Sequence, residues 1–375
     1  MALRAVAEVN LAAIERNTAR LRQHVGPHTQ LCAVVKADGY GHGAVPAARA
    51  ALRGGASTLA VATADEALEL RRELGRGSLV LGALSAEELH VAAVEARADI
   101  VAWDRRFVEA LEGEAEQAGP INVHVKLDTG LGRLGTRDAE QALAVVRAVV
   151  RSPHLRLAGV MTHFATADSD LEFAAEQLAM FGPFEAEARA LATDDITAHA
   201  ANSAGILRVP GSDFDMVRAG IAVYGGDPMN HDPADHGLEP ALALRSYVAT
   251  IKPIATGQST GYGRRFIATA DSNIATIPIG YGDGVVRALA NTADVLIGGR
   301  RYPVRGMVSM DNITVDIGPD PAVSVGDRVT LIGVDGDERQ TAEDLAQRIG
   351  TISYEVLCWI SKRVPRVYHR DGRPA

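Results

Sequence analysis

Cysteine is almost missing from this chain: Cys32 and Cys358 are the only two in 375 residues, far apart and in no CxxC or other metal-ligand spacing. A disulfide framework and a cysteine-built metal site are therefore excluded, and two reduced, buried thiols and no metal are expected. Positive charge is also in short supply. Lys and Arg number 38 against 47 Asp and Glu, a formal net charge of −9. That argues against a nucleic-acid partner, which needs a basic face to neutralise phosphates. No apolar run approaches membrane-spanning length, so no membrane partner is expected. The opening MALRAVAEVNLAAIERN sets Glu8 and Glu15 among short apolar pieces, unlike a signal peptide. A cytoplasmic location follows as the expectation. Internal repeats and low-complexity tracts are lacking too.

Hydrophobic residues are plentiful at 47%, enough for a substantial core. From residue 31 to about 230, short apolar runs at 31–36, 58–62, 78–82, 99–103, 121–127, 156–161, 196–199 and 214–218 alternate with amphipathic segments such as ADEALELRREL, SAEELHVAAVEA, DRRFVEALEGEAEQ and RDAEQALAVVRAVV. Eight β units, each followed by a helix candidate, match the α/β class with an N-terminal (β/α)8 TIM-like barrel. Periodicity alone leaves a doubly wound open sheet as the alternative. Residues 227–240, DPMNHDPADHGLEP, read as a polar linker. Beyond it DVLIGG, RYPVRGM, NITVDI and DRVTLIG are short strands separated by turns, a C-terminal all-β domain. Helices are expected at 341–349, where Thr341 and Asp344 resemble a capping pair, and over 353–363. The division is barrel 8–232 and strand domain 233–375.

Within the barrel, GLGRLG at 130–135 fits the dinucleotide pattern GxGxxG, but the region about 20 residues on, RSPHLRLAG, lacks the acidic ribose contact. A nicotinamide or flavin site is therefore disfavoured. Lys36 ends the first apolar run, just before the glycines at 39, 41 and 43, where a strand leaves the sheet and chemistry is usually mounted. Snorkelling is the ordinary alternative for such a lysine. The loops after strands seven and eight, HAANSAG and VRAGIAVYGG, lie where barrels commonly dock phosphate. There Asn202 and Ser203 offer side-chain donors, and Gly205 and Gly220 permit close backbone approach. A rim phosphate site beside an isolated lysine suggests pyridoxal 5′-phosphate held through the Lys36 amine.

The stretches AVVKADGYGHG, KLDTGLGRLG, THFATAD, HAANSAG, VRAGIAVYGG, GYGRRF, IPIGYGDG and VSMDNITVD, in this order, resemble the alanine racemases, and the likeness runs from about residue 8 to SYEVLCWISKRVPRVY. The resemblance implies interconversion of L- and D-alanine in a head-to-tail homodimer with shared active sites, supplying D-alanine for peptidoglycan. It implies two bases: Lys36 for the D-isomer, and Tyr262 of the partner subunit for the L-isomer. His163 and Arg218 would favour the tyrosine phenolate by positive charge, and Arg218 would face the pyridine nitrogen. Phosphate contacts would fall to Tyr40, Ser203, Gly220, Ile221 and Tyr354. Arg133 would meet the ring oxygen, steadied by Lys126, the position that many members carbamylate. Met310 and Asp311 would border the substrate carboxylate, with Tyr281, Asp168 and Arg287 lining the entrance. Met307, Ser309 and Gly282 depart from the arginine, cysteine and alanine often found there. The alternative is another barrel-type enzyme of the same cofactor, a broad-specificity racemase or an amino-acid decarboxylase.

Overall fold

In the computed structural model, which describes residues 4–319 and 322–375, every apolar run of the first half becomes a strand. Met1–Leu3, part of the N-terminal stretch read above, and residues 320 and 321 lie outside the described residues. The strands are β1 Gln30–Val34, β2 Thr58–Val61, β3 Leu79–Val80, β4 Asp99–Ala102, β5 Ile121–Lys126, β6 Leu155–Met161, β7 Thr197–His199 and β8 Met216–Ala219. They pair in parallel in the order β7-β6-β5-β4-β3-β2-β1-β8. Backbone bonds from Asp215 N–H to the Ala198 carbonyl (3.1 Å) and from Arg218 N–H to the Ala201 carbonyl (2.9 Å) bring the ends of the order together. The sheet closes as a barrel. Strands covered on both faces need continuous apolar runs, which is why they were legible as such.

The helices Ala64–Leu74, Arg105–Ala118 and Ala139–Arg151 fall where the amphipathic segments place them. The segment at 85–96 starts as an α-helix under a Ser85–Glu88 capping box and widens into a π-helical turn over Val91–Glu95. Between β6 and β7 stands a 21-residue helix, Leu171–Leu191, which carries Pro183 and which no periodicity marked.

After β1 the chain makes an unusual turn. Ala37, Asp38, Gly39 and Tyr40 all have left-handed backbone, with φ of 52°, 53°, 62° and 53°. Each non-glycine residue there costs about 1–2 kcal/mol. The Glu66 carboxylate offsets this by accepting the N–H groups of Ala37 (2.6 Å), Ala62 (2.8 Å) and Thr63 (3.2 Å), while Asp38 accepts Ala44 N–H (2.9 Å).

The barrel unit comprises residues 14–39 and 44–223; residues 1–13, 40–43 and 224–375 form the other unit. Residues 8–13 and 224–232 thus group with the strand domain, unlike the sequence boundaries. The reason is pairing: Val6–Asn10 lies between Leu242–Tyr247 (antiparallel) and Arg366–Arg370 (parallel), burying Ala7 and Val9. That sheet also holds Asp294–Ile297, Arg300–Pro303 and Arg328–Asp335. A second sheet joins Thr250–Ile254, Ser272–Ile277 and Ile313–Asp316. The stretch read as a polar linker is packed: Asp227 is fully buried, accepts His231 N–H at 2.8 Å, and donates its own N–H to Glu343. The capping box at Thr341 and Asp344 is present on Ala342–Ile349, and the last helix is shorter than expected, Ser353–Cys358. Cys32 is buried, but Cys358 is exposed because it faces outward at that helix end.

Glu66→Ala would leave three backbone donors without their acceptor. It should lower unfolding free energy by about 1–3 kcal/mol in urea titration. A loss below about 0.5 kcal/mol, the range of ordinary surface substitutions, would mean the left-handed turn holds itself.

Candidate active site

Arg218 lies in β8, a strand buried at all four positions, and is itself 2% exposed. A guanidinium in such a place has five N–H groups to satisfy and can accept nothing. Nη1 donates to His199 Nδ1 at 2.7 Å. Nη2 donates its two N–H groups to the Thr162 and Ala200 carbonyls, each at 2.8 Å, and also lies 3.2 Å from His163 Nδ1. Its Nε–H, also buried, has no partner among the described residues. Burial draws the Arg218 pKa down to about 10, so the group stays charged near neutral pH.

Because Arg218 only donates, Nδ1 of His199 must be the acceptor and that ring carries its proton on Nε2; the guanidinium facing His163 Nδ1 favours the same tautomer there. Both histidines are held well below their usual pKa, first by burial and then by the Arg218 charge. Burial and these charges thus bias His163 toward the neutral form, against the positive charge expected of it. Lys126, Arg133 and Lys36 push it the same way, so four cations converge on one imidazole at the mouth of the barrel. Lys36 is half-buried just beyond β1, and Arg133 is exposed on the loop after β5.

The phosphate-loop residues also meet. Ser203 Oγ accepts Gly220 N–H at 2.9 Å, joining the loops after β7 and β8. The hydroxyl hydrogen remains free to donate elsewhere, whereas the Gly220 N–H is committed here to Ser203. Asn202 Oδ1 accepts Gly205 N–H at 2.9 Å as a helix cap, so only its amide can donate. Ile221 is buried beside them. The glycine-rich decoy explains itself: Asp128 takes the Gly130 and Gly132 N–H groups, at 3.0–3.1 Å, leaving no cradle for a dinucleotide.

In the strand unit, Tyr40 and Tyr354 come together with ring centroids 6.0 Å apart. Tyr281 donates its N–H to the Ser309 carbonyl at 3.0 Å and Gly282 to Met310 at 2.9 Å, which gathers Tyr281, Met310 and Asp311. Tyr262 sits in the loop of the Ser259–Thr260/Phe266–Ile267 hairpin and is 74% exposed. Arg287 opens a 3-10 turn in the same unit; Asp168 is exposed on the barrel unit, where its carbonyl accepts from Arg208.

Residues 9–228 match the family model described as alanine racemase, N-terminal domain, and residues 241–368 that of the C-terminal domain. The alanine racemase of Nostoc sp. is 41% identical, with 97% of this chain and 95% of that one covered. That of Symbiobacterium thermophilum is 42% identical with 96% of each covered. The solved alanine racemase of Streptomyces lavendulae superposes with a TM-score of 0.92 at 36% identity over 98% of both chains. The Bacillus anthracis enzyme with bound L-Ala-P gives 0.91 at 35%, over 100% of this chain and 97% of that one. The chain belongs to the alanine racemase family.

It is an isomerase that racemises alanine. Sequence reading missed several residues of this racemase's site. His199 stands in HAANSAG and His124 two residues before Lys126 on the same strand face, so the period of two could have flagged both. Arg363 had no such signal. It donates to Asp283 at 2.9 Å and to Asp311 at 2.6 Å, fixing the loop that carries Met310. A Cβ at Gly282 would lie 3.2 Å from the Arg363 guanidinium, so glycine in place of the usual alanine makes room for this contact. Among the described residues no helix is long and apolar enough to cross a membrane.

Lys126, 4% exposed, has its pKa lowered from 10.5 to about 8 by burial and by the charges of Arg218 and Arg133. Between those values the unfolded chain holds a proton that the folded chain has released, so stability contributed by this residue rises with pH. In carbon-dioxide-free buffer, Lys126→Met should stabilise the cofactor-free protein at pH 7, and its advantage should shrink as pH climbs through that window. A difference that stays constant with pH in urea unfolding would contradict the lowered pKa.

Proposed function

We propose that this racemase works with pyridoxal 5′-phosphate attached through Lys36, and that a second copy of the chain supplies Tyr262 to complete each site. The observation that carries the cofactor reading is the buried, unpartnered Nε–H of Arg218. An orphan donor costs about 1–3 kcal/mol unless a ligand meets it, and a pyridine nitrogen is an acceptor of the right kind. The surrounding cations suit an anionic ligand, and the Ser203 hydroxyl suits a phosphate. Bound there, the cofactor acts as an electron sink that acidifies the α-proton of the attached amino acid. Arg218 offers its ring nitrogen a hydrogen bond without surrendering a proton, which restrains the sink and disfavours transamination. A decarboxylase of this barrel type would want a carboxylate in that place.

Racemisation takes a proton from one face and returns one to the other, so two bases on opposite faces serve it most directly. Lys36 fits the D-face and Tyr262 the L-face. A phenol of ordinary pKa near 10 is a poor base. Neutral His163 can donate its Nε2–H to the phenolate while Arg218 holds Nδ1, so the guanidinium charge reaches the tyrosine through the imidazole. Lys126, neutral in part near pH 8, can add carbon dioxide through its amine nitrogen while one N–H proton leaves to solvent; the resulting carbamate anion would pair with Arg133 at the substrate carboxylate. Tyr262, Tyr281 and Met310 are exposed apolar side chains in the strand unit, in keeping with a face that another copy covers. The product suits a supply of D-alanine for peptidoglycan.

Borohydride reduction should fix the cofactor on the peptide containing Lys36. For the shared site, Lys36→Ala and Tyr262→Phe chains, each nearly inactive, are mixed and allowed to exchange. Random pairing makes about half the dimers mixed, each with one intact site, so about a quarter of wild-type activity should return. No recovery despite proven exchange would place both residues in one chain.

A further inference from the structure

A polar line runs through the barrel that no step above uses. His199 Nε2–H lies 2.8 Å from His124 Nδ1, and His124 Nε2 lies 3.7 Å from Asp99 Oδ2. The other oxygen of Asp99 accepts Asn122 Nδ2 at 2.8 Å. Proton order along this line is forced from one end. Arg218 can only donate, so His199 accepts on Nδ1 and donates from Nε2; His124 then accepts on Nδ1 and turns its own Nε2–H toward Asp99. Every dipole in the row points the same way, and such rows strengthen one another in a low dielectric.

The fold makes special provision for it. His124 is on β5 and His199 on β7, with β6 between them. Pairing of β5 with β6 slips from Val123–Leu157 to His124–Gly159, a bulge that leaves Ala158 extra. Bulges beside active sites re-aim side chains. At Gly159 a Cβ would fall inside contact distance of both His124 Nδ1 and the Thr197 carbonyl, so the two imidazoles meet across a strand only because that residue has no side chain. Both imidazoles are buried, whereas Asp99 is partly open to solvent.

We propose that Asp99 and His124 are positioning residues of this racemase: acting through His199, they hold Arg218 so that its Nε–H stays free for the cofactor ring, with Asp99 as the remote counter-charge of that buried cation. The role toward the ring rests on the cofactor reading above; the proton order does not. No proton need transfer along the row. Its ordering keeps a second positive charge from forming beside Arg218.

The first test uses cofactor-free protein. Nitrogen-15 spectra of labelled histidine should show His199 as a neutral Nε2–H tautomer across about pH 6–8, where a free imidazole would titrate, and His124 with Nδ1 as the acceptor of the His199 proton. A protonated ring at His199, or an Nδ1–H tautomer at either position, overturns the relay. The second compares variants of the loaded enzyme. His124→Leu should lower kcat about tenfold, the effect common for partners of functional imidazoles, with KM for alanine nearly unchanged and a shifted cofactor absorption band. His124→Gln should restore most of both, since its carbonyl can accept from His199 and its amide can donate toward Asp99. Should the His124 variants fail to fold, Asp99→Asn at the open end keeps an acceptor but removes the charge; it should cost about threefold in kcat with the same spectral shift. Equal behaviour of the Leu and Gln variants, or an Asp99→Asn enzyme with wild-type kcat and spectrum, contradicts the proposal. A wild-type protein that takes up no pyridoxal phosphate overturns the cofactor reading instead, and the histidine spectra then judge the proton order alone.

Discussion

A buried positive charge, with no anion in contact among the described residues, organises the working end of this barrel. Arg218 has given up its hydration for two peptide carbonyls and two imidazoles. Such a site would be a liability in an ordinary core, where an uncompensated ion costs several kcal/mol. It is useful here because arginine never accepts a hydrogen bond, so the residue dictates where protons lie on its neighbours. His163 and His199 lean toward the neutral form with Nδ1 bare, and Lys126 toward the free amine. Burial and this one side chain together bias the protonation of three others. A lysine, a flexible point charge whose pKa falls readily on burial, could not do the same.

The second constraint is backbone strain just after Lys36. Left-handed residues in succession are unfavourable for alanine, aspartate and tyrosine, and they persist because Glu66 and Asp38 satisfy the donors of this turn and of the segments it touches. Strain of this kind gathers where surrounding structure over-determines a position. The strand, the strained turn and the Glu66 anchor together fix the base of the Lys36 side chain.

Much of the fold was legible because parallel barrel strands are continuous apolar runs and their helices carry caps. The long helix at Leu171–Leu191 was not, since Gly182 and Pro183 interrupt it and its apolar residues surround the axis. Nor could local pattern show that Val6–Asn10 pairs with strands more than 230 residues away. The site was legible as residue types, less so as states. Lys36, Ser203, Gly220 and Arg218 could be picked from rim positions and family likeness. That His163 leans neutral, that Gly220 N–H is taken by Ser203, and that Asp99 reaches toward Arg218 through two rings depend on side-chain directions that spacing does not encode.

We propose that Arg218, as a donor that keeps its proton, limits what a bound pyridoxal phosphate could do. The direct measurement is the ratio of keto-acid formation to racemisation turnovers in Arg218→Glu against the parent enzyme, with the absorption spectrum recorded during turnover on alanine. A carboxylate there should protonate the ring nitrogen, so racemisation should fall, the keto-acid ratio should rise by about tenfold or more, and a new long-wavelength band should appear. An Arg218→Glu enzyme that racemises alanine with the parent's ratio and no new band would contradict the account.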